Sequence, residues 1–417
     1  MTFAVGEKLA LLGGTKAIHD PLPTFSQSAG RTFGPEEEAL LLSALRSGCL
    51  SRNGGTLVKR LEAEFAAALG TRYAAACSHG SAAVHLAVAA LDPEPGDEFI
   101  VPPITDLGSI VPVLWQNCVP VFADVDRRTM TLDPADAARR ITPRTRAIIA
   151  VHLAGQPCDM GGLRALAERR RLVLIEDCAQ AYWAEYQGQR VGTIGDMACF
   201  SLQQSKHITS GEGGLLATSN AEYAGRAELF ADKAWPRHPP VLGSSRFLFL
   251  AQNYRMTELQ AAVALGQLPK VAAVVERRRE RAQQLSRLIA GIPGVQPPHV
   301  PEGTRPSYWL YMLHVAGRAA EFGEALAAEG VPCWPRYIVD PLYRSPIFAE
   351  RKTYGTSGFP FSQWPGQDFH PGLCPNAEAA LSGVIAIHWN ENYTASQVEQ
   401  IASAIAKVAD HYRSGNA

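Results

Sequence analysis

The sequence predicts an α/β protein, a mainly parallel sheet with helices on both faces, followed by a smaller α+β domain. From Phe99 to Thr218 short apolar runs alternate with helical patterns. That is the rhythm of a parallel sheet, because neighbouring parallel strands need a crossover between them. At GIPGVQPP, just beyond Ala290, the rhythm breaks and fewer, longer elements follow. Composition agrees, since 417 residues with 47% hydrophobic and 19% charged side chains suit two or three domains of about 100–200 residues each.

The elements follow in order. Residues 1–34 are rich in Gly, Pro and Ser and read as an extended arm, of the kind that wraps a neighbouring subunit. A helix begins at Pro35, with acids in its first turn and Gly48 past its end, where the helix dipole and a glycine C-cap want them. A second helix, about Leu57 to Leu69, stops at Gly70. Strands are predicted at Phe99–Val101, Val121–Ala123, Ala147–Val151, Leu172–Ile175, Ala198–Leu202 and Leu215–Thr218. Thr257 to Leu268 is helical, Pro269 interrupts, and a long helix continues to about Ala290. The remainder reads as a strand (Tyr308–Val315), a helix (Ala319–Ala328), a strand (Val384–His388) and a last helix (Ser396–His411). The division expected is an arm, 1–34, a large domain, 35–270, and a small domain, 271–417. The long stretch from Tyr337 to Cys374 is loop-like and suits a binding mouth.

Composition also excludes partners. The 39 basic and 40 acidic side chains leave a formal net charge of -1, so no basic excess points to nucleic acid or an anionic membrane. Eight scattered cysteines form no C-x-x-C pair and no zinc-spaced cluster, which suits reduced cytosolic thiols and no metal. No apolar run approaches the roughly 18 residues that span a bilayer. A cytoplasmic enzyme is expected.

The chemistry centres on CFSLQQSKHITSGEGGLL. An apolar lead-in, Met197 to Leu202, delivers a polar turn that presents Lys206, and Gly211, Gly213 and Gly214 turn the chain into a second apolar run. A partly buried lysine loses hydration, drops in pKa and attacks a carbonyl as the free amine. Most lysines are simply solvated, so the residues around this one must carry the assignment. In CSHGSAAVHLAVAAL a turn with Gly80 and Ser81 opens a helix whose first N–H groups face an anion, although a serine there also serves as an ordinary N-cap. In LVLIEDCAQAY an apolar strand ends in Glu176 and Asp177, with Ala179 and Gln180 beyond. Asp177 suits either the partner of a protonated pyridine nitrogen or a cap for a following helix. Ser201 lies five positions before Lys206, and the polar run Gln252-Asn253-Tyr254-Arg255-Met256 precedes a helix start.

These pieces stand in one order, and the chain resembles the DegT-type aminotransferases acting on keto-sugars and cyclitols. The resemblance runs from FGPEEEALLLSAL through GDEFIVPP, PVFADVD, ITPRTRAIIAVHLAGQPCDM, IEDCAQA and GTIGDMACFSLQQSKHITSGEGG to NYRMTELQAA. It implies a fold-type I enzyme with a seven-stranded type of sheet, using pyridoxal phosphate. It implies Lys206 as the Schiff-base lysine, Asp177 as the partner of the pyridine nitrogen, Ala179 and Gln180 beside the ring, and Ser81, Ala82 and Ser201 on the phosphate. Asn253 would reach the phosphate of the neighbouring subunit, which implies a homodimer with shared sites. Two positions depart from the pattern: Asp106 stands where an aromatic residue covers the cofactor ring, and Tyr182 replaces a histidine after the AQA step.

The resemblance implies transfer of an amino group from glutamate or glutamine to the ketone of a sugar or cyclitol. A dehydratase branch of the same fold carries a histidine at the lysine position, whereas here that position is Lys206 and His207 follows it. A non-catalytic regulator would typically add a DNA-binding domain or lose the lysine, and this chain does neither. Acceptor-reading residues are expected in the arm, after Lys233, and from Trp334 to His370, where Arg336 and Tyr337 stand out.

Overall fold

Five strands, β1 Tyr73–Cys77, β2 Glu98–Val101, β3 Val119–Phe122, β4 Thr145–Val151 and β5 Val173–Asp177, precede a short hairpin of β6 Glu185–Tyr186 and β7 Gln189–Arg190. After it come β8 Met197–Ser201 and β9 Gly214–Thr218. The structure is a computed structural model and describes residues 7–237, 247–366 and 368–413. Seven of these strands form one sheet in the order β1-β9-β8-β5-β4-β2-β3. The run from β3 to β8 is parallel, and β9 lies antiparallel to both β8 and β1. The physical reason is the connection: residues 202–213 contain no helix to serve as a crossover. Side chains alternate between two cores as the pleat demands. Along β4, Ala147, Ile149 and Val151 join one cluster while Ile148 and Ala150 join another.

Two differences from expectation matter. Tyr73–Cys77 is a strand that the sequence pattern did not reveal, because its three alanines carry no β preference. Its place comes from pairing with β9, Tyr73 opposite Thr218 through Cys77 opposite Gly214. The strand expected over Leu172–Ile175, in a stretch read as ending in Glu176 and Asp177, is Val173–Asp177 and extends through both carboxylates, which pair with Ala150 and Val151 of β4. This extension puts Asp177 at the last position of a buried strand.

The second layer holds β10 Val295–Gln296, β11 Thr304–Arg305, β12 Leu310–Val315, β13 Cys333–Trp334 and β14 Val384–His388. Four of them form an antiparallel sheet, β10-β12-β14-β13, and β11 joins the β6–β7 hairpin. The helix Val271–Ile289 serves both layers, placing Val271 and Val275 in a core of the first and Leu285 and Ile289 in the core of the second. The arm packs on its own chain: Leu9, Ile18 and Leu22 lie in that second core. The N–H groups of Ala10 and Ala17 donate to the buried Glu329 carboxylate, which also pairs with Lys407. Leu9, Ile18 and Leu22 of the arm thus pack within the chain. No helix of the described residues is long and apolar enough to cross a membrane.

Candidate active site

A cavity of about 550 Å³ opens where β4, β5 and β8 end, facing the N-terminus of the helix Gly80–Ala90. Strand ends of a parallel sheet are where such sites collect, because the chain leaves the sheet there in loops. Val151, Asp177 and Ser201, the last residues of the three strands, all line it, as does Lys206.

Lys206 sits in a turn in which its N–H donates to the Gln203 carbonyl at 2.9 Å. Its Nζ lies 4.0 Å from the centroid of the Trp309 ring, and Trp309 Nε1 donates to the Ser205 carbonyl at 2.8 Å. The turn is also held from the arm, where Arg31 donates to the carbonyls of Lys206 at 2.8 Å and of Phe25 at 3.2 Å. The residue keeps partial exposure towards the cavity, but the amine is enclosed. Burial pushes its pKa down from 10.5 to about 8, against the opposing charges of Asp177, Asp106 and Glu212.

Asp177 is 5% exposed. Its Oδ2 accepts from Ser109 Oγ at 2.7 Å and its Oδ1 from the Ala179 N–H at 3.0 Å. Because the Ser109 hydroxyl donates to the carboxylate, Thr105 must donate to Ser109, at 2.7 Å. Burial raises the Asp177 pKa, while those two hydrogen bonds and the charges of Lys206 and His152 oppose it. No helix follows at once, for residues 178–184 are turns, so Asp177 caps no helix. Gln180 is fixed at both ends, its Oε1 accepting from the Ala154 N–H at 2.6 Å and its Nε2 donating to the Tyr337 hydroxyl at 3.3 Å.

At the helix start, His79 is the N-cap, and its Nδ1 accepts from the Ala82 N–H at 3.0 Å. Ala82 is therefore displaced from the expected role, since its N–H is already engaged and it does not line the cavity. The N–H groups of Gly80 and Ser81 have no acceptor among the described residues, and both residues face the cavity with Ser201. A Cβ at Gly80 would lie 2.7 Å from the Ser201 Cβ, so only glycine lets the helix start approach the strand end this closely.

The structure thus brings together Lys206, Asp177, Ala179, Gln180, Ser81, Ser201 and Asp106. Asn253 stays apart. It is exposed, bridged to Asp232, and does not line the cavity of its own chain. Tyr182 also points elsewhere, buried and stacked on Trp183, with its hydroxyl donating to the Ser201 carbonyl at 3.0 Å. It steadies the strand end that carries Ser201. His207 is buried and donates to the Ser307 carbonyl at 3.0 Å. Arg336 is exposed and donates to the Val339 carbonyl, whereas Tyr337 reaches the site through Gln180.

Sequence reasoning passed over His79, Ser109, Glu212 and Trp309. His79 alone had a local signal, lying directly before the Gly80-Ser81 turn. Behind the site, His152, Glu176 and Cys178 place possible ligand atoms within 4.8 Å of one another. Their polar atoms are already engaged. His152 Nδ1 accepts from the Cys158 N–H, so its Nε2 donates to Glu176, which also accepts from the N–H groups of Gly192, Ile194 and Gly195. The bonds of His152 and Glu176 brace the end of β5.

An enclosed lysine amine, a buried carboxylate and an unpaired helix start in one cavity define a cofactor-dependent enzyme of the fold-type I class. Residues 32–406 match the model of the DegT/DnrJ/EryC1/StrS aminotransferase family, and the chain belongs to that family. Membership makes it a pyridoxal-phosphate-dependent aminotransferase. It is 36% identical to L-glutamine:2-deoxy-scyllo-inosose aminotransferase of Streptomyces paromomycinus, over 97% of this chain and 98% of that one. It is likewise 36% identical to GDP-perosamine synthase of Caulobacter vibrioides, over 77% of this chain and 87% of that one. Among solved structures, DesV of S. venezuelae, in complex with a ketimine intermediate, superposes with a TM-score of 0.80. It is 30% identical, covering 90% of this chain and 94% of DesV.

The residues present fit pyridoxal phosphate. Gly80 and Ser81 offer unpaired N–H donors in a cradle that a Cβ would fill. Asp177 is a buried carboxylate on the cavity wall, to which a pyridinium N–H would be a cationic partner.

Proposed function

We propose that this chain moves the amino group of glutamine to the ketone of a cyclitol or sugar, in a homodimer that completes each site. The observation that carries the reading is the Lys206 amine, with its pKa near 8, sharing one cavity with Asp177 at the end of β5. Glutamine is favoured as donor because relatives matched over nearly their whole length carry it in their names.

Pyridoxal phosphate, when bound, supplies an electron-withdrawing ring that stabilises negative charge on the substrate carbon. The Gly80 and Ser81 N–H groups, with the hydroxyls of Ser81 and Ser201, hold its phosphate at the positive end of the helix dipole. Asp177 keeps the ring nitrogen protonated, and Ser109 keeps Asp177 ionised and aimed. Gln180 would meet the ring hydroxyl and Ala179 would line the ring pocket. Lys206 would hold the cofactor and serve as the base that moves the proton at the substrate carbon, because its amine is free in a useful fraction near neutral pH. Arg31 holds the turn that presents that amine, and the Trp309 ring covers it.

We read residues 35–270 as the cofactor-binding domain, 271–417 as the small domain, and 1–34 as an arm, of which Phe25 and Arg31 meet the site of their own chain. Asn253, exposed and remote from its own cavity, serves the phosphate of a second copy. The chain's eight cysteines are free thiols, which suits the cytoplasm. The dehydratase alternative lacks its histidine, since that position is Lys206.

The purified protein should show the visible absorbance of a lysine-bound cofactor. Glutamine should bleach it and a keto-cyclitol restore it. A protein that takes up the cofactor but bleaches with no amino donor would refute the reading.

A further inference from the structure

The position that resembles a ring-covering aromatic in related chains is Asp106, and its surroundings give it a use. Its Oδ1 is tied down, accepting from the Gly108 N–H at 2.8 Å, while its Oδ2 takes no hydrogen bond among the described residues. Glu212, on the Gly-rich turn, also lines the cavity, and no donor among the described residues meets its carboxylate. Both line the cavity that holds the Lys206 amine, near enough for their charges to act on it. Among the described residues lining the cavity, Lys206 is the one lysine or arginine.

The remaining wall is aromatic. Trp309 covers the Lys206 amine, and Trp334 lines the cavity beside it at a ring separation of 6.5 Å. Trp334 is held from behind by Tyr337, stacked at 5.8 Å, and by His388, edge-on at 4.3 Å. Tyr337 is itself fixed by Gln180. The wall is therefore preorganised, two rings inclined at 56° to each other, rather than a set of loose side chains.

We propose that Asp106 is a specificity-determining residue that, with the Trp309–Trp334 wall, selects an uncharged polyhydroxylated ring as the amino acceptor. This rests on the function proposed above. Such a ring presents apolar C–H faces and a rim of hydroxyl donors. The faces pack on the tryptophans, and the rim satisfies the open carboxylate oxygens through charge-assisted hydrogen bonds. A phosphorylated or nucleotide-linked ring brings anionic oxygens towards Asp106 and Glu212, with no arginine among the described residues lining the cavity to receive them. The same field disfavours the second carboxylate of glutamate relative to the amide of glutamine.

The test uses enzyme in the amine-loaded form, mixed with acceptors while return of the cofactor's visible band is followed. A free keto-cyclitol, 2-deoxy-scyllo-inosose, is compared with a phosphorylated and a nucleotide-linked keto-sugar. The free ring should exceed both in kcat/KM by about a hundredfold. Asp106→Asn and Asp106→Ser should each narrow that ratio about tenfold, a readout that cancels any common change in Lys206. Trp334→Leu should raise the acceptor KM about tenfold. Preference for the charged acceptors, or a ratio unchanged in both Asp106 variants, would overturn the proposal. Failure of every amino donor to bleach the protein would instead overturn the aminotransferase reading beneath it.

Discussion

Lys206→Met should make the cofactor-free protein more stable near neutral pH, though it destroys the activity. The fall in the lysine pKa from 10.5 to about 8 measures how much the folded structure disfavours the ammonium. At about 1.4 kcal/mol per pH unit, that disfavour is about 3 kcal/mol near pH 7. The Trp309 face, 4.0 Å from the amine, returns about 1 kcal/mol through its attraction for a cation. A methionine fills similar space with no charge, so the variant should gain about 2 kcal/mol. The sign follows from proton counting. Below about pH 8 both states hold the proton and the penalty is complete. Between about 8 and 10.5 the unfolded chain holds a proton that the folded chain has lost, so wild-type stability rises with pH. Urea unfolding of both cofactor-free proteins, followed by tryptophan fluorescence, should show the gap near pH 7 and its disappearance near pH 10.5. A variant no more stable than wild type near pH 7, or a gap independent of pH, would refute the claim that burial depresses this amine.

Asp177→Asn preserves volume and removes the charge, and turnover should fall at least a hundredfold with little change in unfolding midpoint. Ser109→Ala strips a hydrogen bond from the ionised Asp177, raising its pKa further. The acid limb of the pH–rate profile, where activity is lost as pH falls through that pKa, should move up by about one pH unit. In Gly80→Ala the new Cβ stands 2.7 Å from the Ser201 Cβ, so absorbance titration should show cofactor affinity weakened at least tenfold. Mixing Lys206→Ala with a severely impaired Asn253 variant should, after subunit exchange, restore activity at about a quarter of the sites. Recovery no greater than the sum of the two variants would count against a shared site.

Much of the architecture is local and therefore legible in the sequence. The helix Pro35–Ser47 ends at Gly48 and the helix Leu57–Leu69 at Gly70, both glycines at positive φ, because a cap is set by neighbours in the chain. Most strands announce themselves as apolar runs, and the order of the motifs around Lys206 and Asp177 carries the family and its chemistry. What escaped was decided across the fold. The alanines of β1 become a strand only because β9 lies beside them. Ser205 meets the Trp309 ring 104 positions along the chain, and Arg31 holds the Lys206 carbonyl from 175 positions away. The Ala82 N–H donates to His79, the N-cap of its helix. Periodicity reports which face of an element is buried. Which side chains converge on one amine depends on crossovers and on a second layer laid over the strand ends, and there only the tertiary structure decides.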